Sequence, residues 1–259
     1  MSSDTGYDAD PELPELYDHI PMYNSRGDVN FYLDLCREAG EVLELGCGTG
    51  RVLVAAAQAG CAITGLDNSP RMLARCRAKV DQLPSLERDR TAVVHADMTN
   101  FQLARRFKLV IVPFRPIQHL TGTREQLSLL QCIHQHLQPG GRLVFDVFNP
   151  NLALLAAPVN GEEIEDTPEL TLPDGRRLRR SYRVLQKRYA DQCTDCELIY
   201  YVDNRPIMQP LTMRYFFRFE LEHLLARSGF EVIALYGGFD AEPFTNDSAE
   251  MIFTAVPQQ

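Results

Sequence analysis

Between Glu41 and Phe148 the apolar residues follow two rhythms. Short, nearly continuous runs (EVLELG, AITGLD, AVVHAD, FKLVIVPF, RLVFDVF) alternate with stretches in which apolar positions recur every three or four residues (GRVLVAAAQAG, SPRMLARCRAKV, TREQLSLLQCIHQHLQPGG). A run without polar alternation reads as a strand buried on both faces, and the three-to-four spacing reads as an amphipathic helix. Ser69 and Pro70 open one of these helices and Gly60 closes another, each where cap chemistry favours that residue type. Strands alternating with helices predict a largely parallel sheet covered on both sides, the doubly wound α/β arrangement.

The rhythm differs on either side of this core. Before it, YDHIPMYNSRGDVNFYLDLCREAG predicts a short helix, a loop and a second helix ending at Gly40. After Pro150, a stretch rich in Arg, Tyr and Phe shows period-two alternation and the turn signals PDG and DNRP, which predicts an inserted antiparallel sheet. In LTMRYFFRF the alternation puts Leu211, Met213, Tyr215, Phe217 and Phe219 on one face and Thr212, Arg214, Phe216 and Arg218 on the other. ELEHLLARSGF then reads as a helix ending at Gly229, with EVIALYGGF and AEMIFTAVP as two last strands joined in a hairpin. The expected organisation is a helical segment over 1–40, a core over 41–150 and 219–259, and a β insertion over 151–218.

Composition narrows the partners. A chain of 259 residues, 45% hydrophobic and 24% charged, can bury one good-sized core and is globular in character. Its formal charge of -9 disfavours a nucleic-acid backbone, so a small molecule is the expected partner. The arginines and tyrosines of the insertion are read as a solvated strand face rather than a nucleic-acid surface. No apolar run is long enough to span a bilayer, and the first residues lack the basic-then-apolar order of a secretory signal, so a cytoplasmic protein without membrane association is expected. The seven cysteines are scattered as reduced thiols, and the lone CxxC pair, Cys193 and Cys196, is not expected to hold a metal.

The candidate chemistry starts at VLELGCGTGR. Gly46, Gly48 and Gly50 follow a strand and open a helix, where missing side chains allow a tight turn and close approach of a ligand. The spacing G-x-G-x-G departs from the dinucleotide pattern, and Glu44 just before it suits a positive centre better than a pyrophosphate. Asp67, closing the second strand, is placed to accept from ribose hydroxyls, and Asp97 and Met98, closing the third, to flank an adenine. Together these strand ends predict a site for an adenosine with a charged amino-acid tail.

The ordered set VLELGCGTG, GLDNSPRML, VVHADM, FKLVIVPF and LQPGGRLVFDVF resembles the class I S-adenosylmethionine-dependent methyltransferases. The resemblance covers roughly residues 15 to 150 and the last forty. It implies a Rossmann-like, mostly parallel seven-stranded sheet with an antiparallel β lid, S-adenosylmethionine as cofactor and S-adenosylhomocysteine as product. By that resemblance Glu44, Gly46, Cys47, Gly48 and Gly50 line the methionine end, Asp67 and Asn68 the ribose, and Asp97 and Met98 the adenine, with Met72 and Pro113 close by. After the fourth strand VPFRPIQHL carries His119, an imidazole able to take a proton near neutral pH or to serve a structural role. LYDHIPMYNS and VPFRPIQHL are similar to segments of bacterial sugar-amine N,N-dimethyltransferases, which implies Tyr17 and His119 beside the acceptor. Tyr23, Phe114, Arg115 and Tyr215 are assigned to the acceptor side. FRP at 114–116 departs from the small polar residues of the sugar enzymes; Arg115 either clamps an acidic acceptor or is salt-bridged at the rim. The expected reaction is methylation of an amine or hydroxyl on a small molecule by a monomer or homodimer. A nicotinamide-dependent oxidoreductase and a non-catalytic cofactor-binding module are the alternatives.

Overall fold

In the computed structural model, residues 6–258 are described; the first five residues of the expected N-terminal helical segment, and Gln259, lie outside them. In chain order the helices are α1 (Leu13–Asp18), α2 (Pro21–Asn24), α3 (Asp28–Ala39), α4 (Arg51–Gln58), α5 (Pro70–Val80), α6 (Ser85–Asp89), α7 (Thr123–His136), α8 (Leu152–Ala156) and α9 (Arg218–Arg227). The strands are β1 (Glu41–Leu45), β2 (Ala62–Asp67), β3 (Thr91–His95), β4 (Phe107–Val112), β5 (Leu137–Phe148), β6 (Ile164–Thr171), β7 (Arg177–Arg188), β8 (Cys193–Val202), β9 (Arg205–Arg214), β10 (Phe230–Tyr236) and β11 (Glu250–Pro257).

The described residues form two compact units, one from 6–26 and 151–215, the other from 27–150 and 216–258. The expected organisation had 1–40 as one segment and resumed the core at 219. Instead α3 packs with the large unit, where Tyr32 and Cys36 are fully buried among residues of α4 and α5.

The large unit holds a seven-stranded sheet in the order β10-β11-β5-β4-β1-β2-β3, with β1 to β5 parallel and β11 antiparallel to both its neighbours. Its strands lack alternation because both faces are buried. Leu43, Val110 and Phe145 point into a cluster with α7 and α9, whereas Val42, Ile111 and Val144 point into one with α3, α4 and α5. The β5 strand begins at Leu137, five residues before the expected Arg142: Phe107 pairs with Leu137 and Leu109 with Arg142, so the residues between bulge out, with Gly140 at φ 75. The hairpin of β10 and β11 is as expected.

The small unit is an antiparallel meander in the order β6-β7-β8-β9, with α1 and α2 in the same unit. Here one expectation fails. The β9 strand stops at Arg214, Tyr215 and Phe216 are both buried in succession although expected on opposite faces, and Phe217 and Phe219, expected to share a face with Tyr215, are exposed. The reason is a local competition: Glu220 bonds back to the Phe217 backbone N–H and starts α9, so the helix and its cap take over Phe217, Arg218 and Phe219, which alternate as a strand.

Candidate active site

The glycine turn leaves β1 at Leu45 and is pinned to β2, the N–H groups of Gly46 and Cys47 both donating to the Leu66 carbonyl at 2.8 and 3.0 Å. Gly46 has φ 71, and a Cβ there would lie 2.6 Å from Cγ of Pro116. Glycine is therefore required twice at that position, by conformation and by the close approach of the segment after β4. The turn is tied to the end of β2 by Asp67, whose Oδ2 accepts from Gly48 N–H at 2.9 Å and whose Oδ1 accepts from Ser69 N–H at 2.8 Å. Ser69 caps α5 through Met72 N–H, and Met72 is buried with its methyl over Gly48.

Glu44 lies beneath this turn, 3% exposed, with Oε2 making no hydrogen bond among the described residues. Burial raises its carboxyl well above the usual carboxylate range; Cys76 adds to the shift and Arg51 opposes it. Arg51 already spends its guanidinium on Asp28, through contacts of 2.7 and 2.5 Å. A buried carboxyl with an open oxygen is costly unless a donor arrives, which is what an ammonium group would supply. The Cys47 thiol beside it donates to Cys76, holding the Cys47 pKa up and the Cys76 pKa down.

Asp97 and Met98 do not close β3, which ends at His95; they form the turn that follows. There Oδ1 of Asp97 accepts from both the N–H and the hydroxyl of Thr99 at 2.8 Å, leaving Oδ2 open, and Met98 packs half-buried against the core. The preceding strand is shorter because this Asx turn outcompetes one more ladder step. Asn68 is exposed, its carbonyl 3.1 Å from Nε2 of His95.

After β4 and the buried Pro113, Phe114 and Arg115 take left-handed φ values of 66° and 72° in succession. Each such residue costs on the order of 1–2 kcal/mol and persists only where its surroundings enforce it. The enforcing contacts are specific. Phe114 N–H donates to Oδ1 of the fully buried Asp146 at 2.8 Å, which also accepts from Tyr32 Oη at 2.7 Å, and the Arg51 guanidinium lies 4.8 Å from the Phe114 ring. Arg115 is bound to Glu250 at 2.5 Å and lies over Phe148, so of the two roles expected for it the structure shows the salt bridge. Gln118, fully buried, accepts from Phe148 N–H at 3.1 Å and fixes the 3-10 turn Pro116–His119 that ends on the exposed His119.

The large unit thus brings together the glycine turn, Glu44, Asp67, Met72 and the segment from Pro113 to His119. Tyr17, Tyr23 and Tyr215 belong to the small unit. The Tyr17 ring lies tilted 4.6 Å from the Tyr23 ring, and Tyr215 exchanges hydrogen bonds with Gln192. Asp28, Tyr32, Arg51, Gln118 and Asp146 were missed from the sequence. Only Asp146 carried a signal, as an acidic residue inside the apolar run RLVFDVF. No cluster of His, Cys, Asp and Glu that could hold a metal occurs among the described residues. Cys193 and Cys196, three apart on β8, point to opposite faces. No helix among them is long and apolar enough to cross a membrane.

The residues offer S-adenosylmethionine three complements: the orphaned buried carboxyl of Glu44, a backbone cradle without side chains, and the carboxylates of Asp67 at the end of β2 and Asp97 in the turn after β3. Asp67→Ala should weaken its binding by about 1.5–3 kcal/mol, roughly 10- to 150-fold, because both the hydroxyl acceptor and the tie to Gly48 are lost. Calorimetric titration measures this, and unchanged affinity removes Asp67 from the ribose site.

Residues 42–141 match a family model described as a methyltransferase domain. A dTDP-3-amino-3,6-dideoxy-alpha-D-glucopyranose N,N-dimethyltransferase of Streptomyces fradiae is 32% identical over 143 residues, a match that spans about half of either protein (52% of each). A cypemycin N-terminal methyltransferase of a Streptomyces species is 27% identical over 82% of this chain and 80% of its own length. The CcbJ methyltransferase of Streptomyces caelestis shares the fold with a TM-score of 0.74 and 22% identity, covering 90% of this chain and 89% of that one.

Proposed function

We propose, from the premise that residues 42–141 are an S-adenosylmethionine-dependent methyltransferase domain, that this chain transfers the methyl group to an amine of a small molecule. The observation that carries the cofactor reading is the open oxygen of buried Glu44 under the glycine turn. It also disfavours the nicotinamide alternative, since a pyrophosphate would meet a carboxyl there. Nitrogen as the acceptor atom is supported by the names of the relatives, one acting on an amino sugar as an N,N-dimethyltransferase and one described as an N-terminal methyltransferase.

Bound in this turn, the sulfonium supplies an activated methyl group for in-line displacement. The chain's own task is alignment and proton removal. His119, at the end of the turn held by Gln118 and Asp146, is the base we assign to the amine's proton, in keeping with its exposure at the carboxyl edge of the sheet. Tyr17 is assigned to the acceptor by resemblance to the sugar-amine enzymes.

The test is calorimetric titration with S-adenosylmethionine and with NADH, each in two buffers of different ionisation enthalpy. Glu44 has a raised pKa in the free protein, so it holds a proton above the usual carboxylate range and must release it when an ammonium binds. Binding of S-adenosylmethionine with proton release, growing smaller as pH rises through the raised pKa, is expected. Binding of NADH instead overturns the reading. Methyl transfer to a panel of amines and alcohols, followed by mass spectrometry, then tests the acceptor atom.

A further inference from the structure

An acidic residue inside the apolar run RLVFDVF needs a reason to be there, since a fully buried carboxyl is costly unless donors surround it. The register of the sheet shows what Asp146 meets. Pairing of β4 with β5 ends at Val112 and Phe145, so the next residue of β5 lies beside the point where the chain leaves β4. Pro113 has no N–H to give there, and the first donor of the departing chain, Phe114 N–H, goes to Oδ1 of Asp146 at 2.8 Å. Tyr32, fully buried on α3, donates its hydroxyl to the same oxygen at 2.7 Å and so orients it.

The bond falls where the backbone is least at ease, on the first of the two left-handed residues that reverse the chain ahead of His119. The other tie on that pair, Arg115 to Glu250, joins side chains that are 29% and 12% exposed, and water weakens it accordingly. Past the reversal there is little slack: Pro116 packs so closely on the glycine turn that a Cβ on Gly46 would lie 2.6 Å from its Cγ. The glycine turn itself keeps separate anchors, at the Leu66 carbonyl and at Asp67. Loss of the Asp146 contact therefore displaces the segment that ends on His119 while leaving the turn in place.

We propose that Asp146 is a positioning residue for methyl transfer: its Oδ1, oriented by Tyr32, sets the reversal at Phe114 and Arg115 and through it the place of the His119 imidazole, while Asp146 itself touches neither substrate nor cofactor. The inference rests on the reading of His119 as the base. It assigns Asp146 an effect on turnover alone, exerted entirely through His119.

The experiment compares the full chain as wild type, Asp146→Leu, His119→Ala and the double variant, using the amine of the panel that turns over fastest. Leucine keeps the shape of aspartate and removes the acceptor. Asp146→Leu should lower kcat about 10²-fold, the cost of a displacement of about 1 Å, with KM and S-adenosylmethionine affinity unchanged. In the His119→Ala background the same change should cost nothing beyond about twofold, since the group it positions is already gone. A second readout needs no acceptor: the imidazole signal of His119, identified by its loss in His119→Ala, should move in Asp146→Leu while those of the other histidines stay. Tyr32→Phe, which removes a single oxygen, should give the same pattern with a kcat loss of roughly 2- to 10-fold and serves where Asp146→Leu does not fold. An unmoved His119 signal, or a double variant slower than His119→Ala by the full Asp146→Leu factor, overturns the proposal. Normal turnover in His119→Ala alone strikes the base assignment instead, and it is read without Asp146 being altered.

Discussion

His119→Ala should lower turnover about 10²- to 10⁴-fold, the range contributed by a positioned general base, while S-adenosylmethionine binds as before. The separation is expected because the contacts proposed for the cofactor lie on the turn and strand ends at Glu44, Gly48 and Asp67, whereas His119 ends a different segment, Pro116–His119. Steady-state kinetics with both substrates saturating gives the comparison, and its pH profile should lose the limb due to the imidazole. A variant that turns over normally would return His119 to a structural role. The preceding turn gives the experiment a useful contrast. Phe114 and Arg115 stay left-handed through Asp146 and Glu250, so loss of those contacts would relax the segment without removing the base.

The second large effect is on stability. Asp166→Ala should destabilise the small unit by about 3–5 kcal/mol, the cost of leaving a buried charge without its partner. Arg180 is 1% exposed, and its Nε and Nη2 both donate to Asp166 at 2.9 Å. Hydrogen exchange of the amides of β7 and β8 measures the change where global melting would blend two units. Asp166→Leu combined with Arg180→Met should recover most of the loss, since an apolar pair of similar volume removes the desolvation penalty along with the attraction. Equal exchange rates in Asp166→Ala and wild type would show that Arg180 is solvated in solution.

The core and the glycine turn were legible because each rests on local pattern. Unbroken apolar runs report two covered faces, and glycines between a strand and a helix report a tight turn, so five parallel strands, Glu44 and Asp67 all follow from neighbours within a few residues. What could not be read depends on residues far apart. Asp146 anchors Phe114 across 32 positions and Tyr32 across 114, and Glu250 takes Arg115 across 135. No periodicity encodes such pairs. The failure at Phe217 and Phe219 is of another kind: the same residues satisfy a strand's alternation and a helix start, and the Glu220 cap decides between them. The sequence could not choose between the two readings of Arg115, because a guanidinium's partner is set by packing and the sequence shows only that a charge is present; the structure pairs it with Glu250.

The division of the chain into interleaved units sets an order of events during synthesis. Tyr23 must wait for Arg180, made 157 residues later, before the small unit can close its polar centre. The large unit is likewise incomplete until the last forty residues emerge, because β11 is the strand that covers the open edge of β5. Through most of translation the nascent protein therefore carries an uncapped strand edge and a set of unsheltered N-terminal tyrosines, the features that pair wrongly with other chains. Neither unit is a contiguous stretch that can finish first and shield the other, so the burden of holding the growing polypeptide soluble falls on its surplus of negative charge and on whatever chaperone meets it at the ribosome.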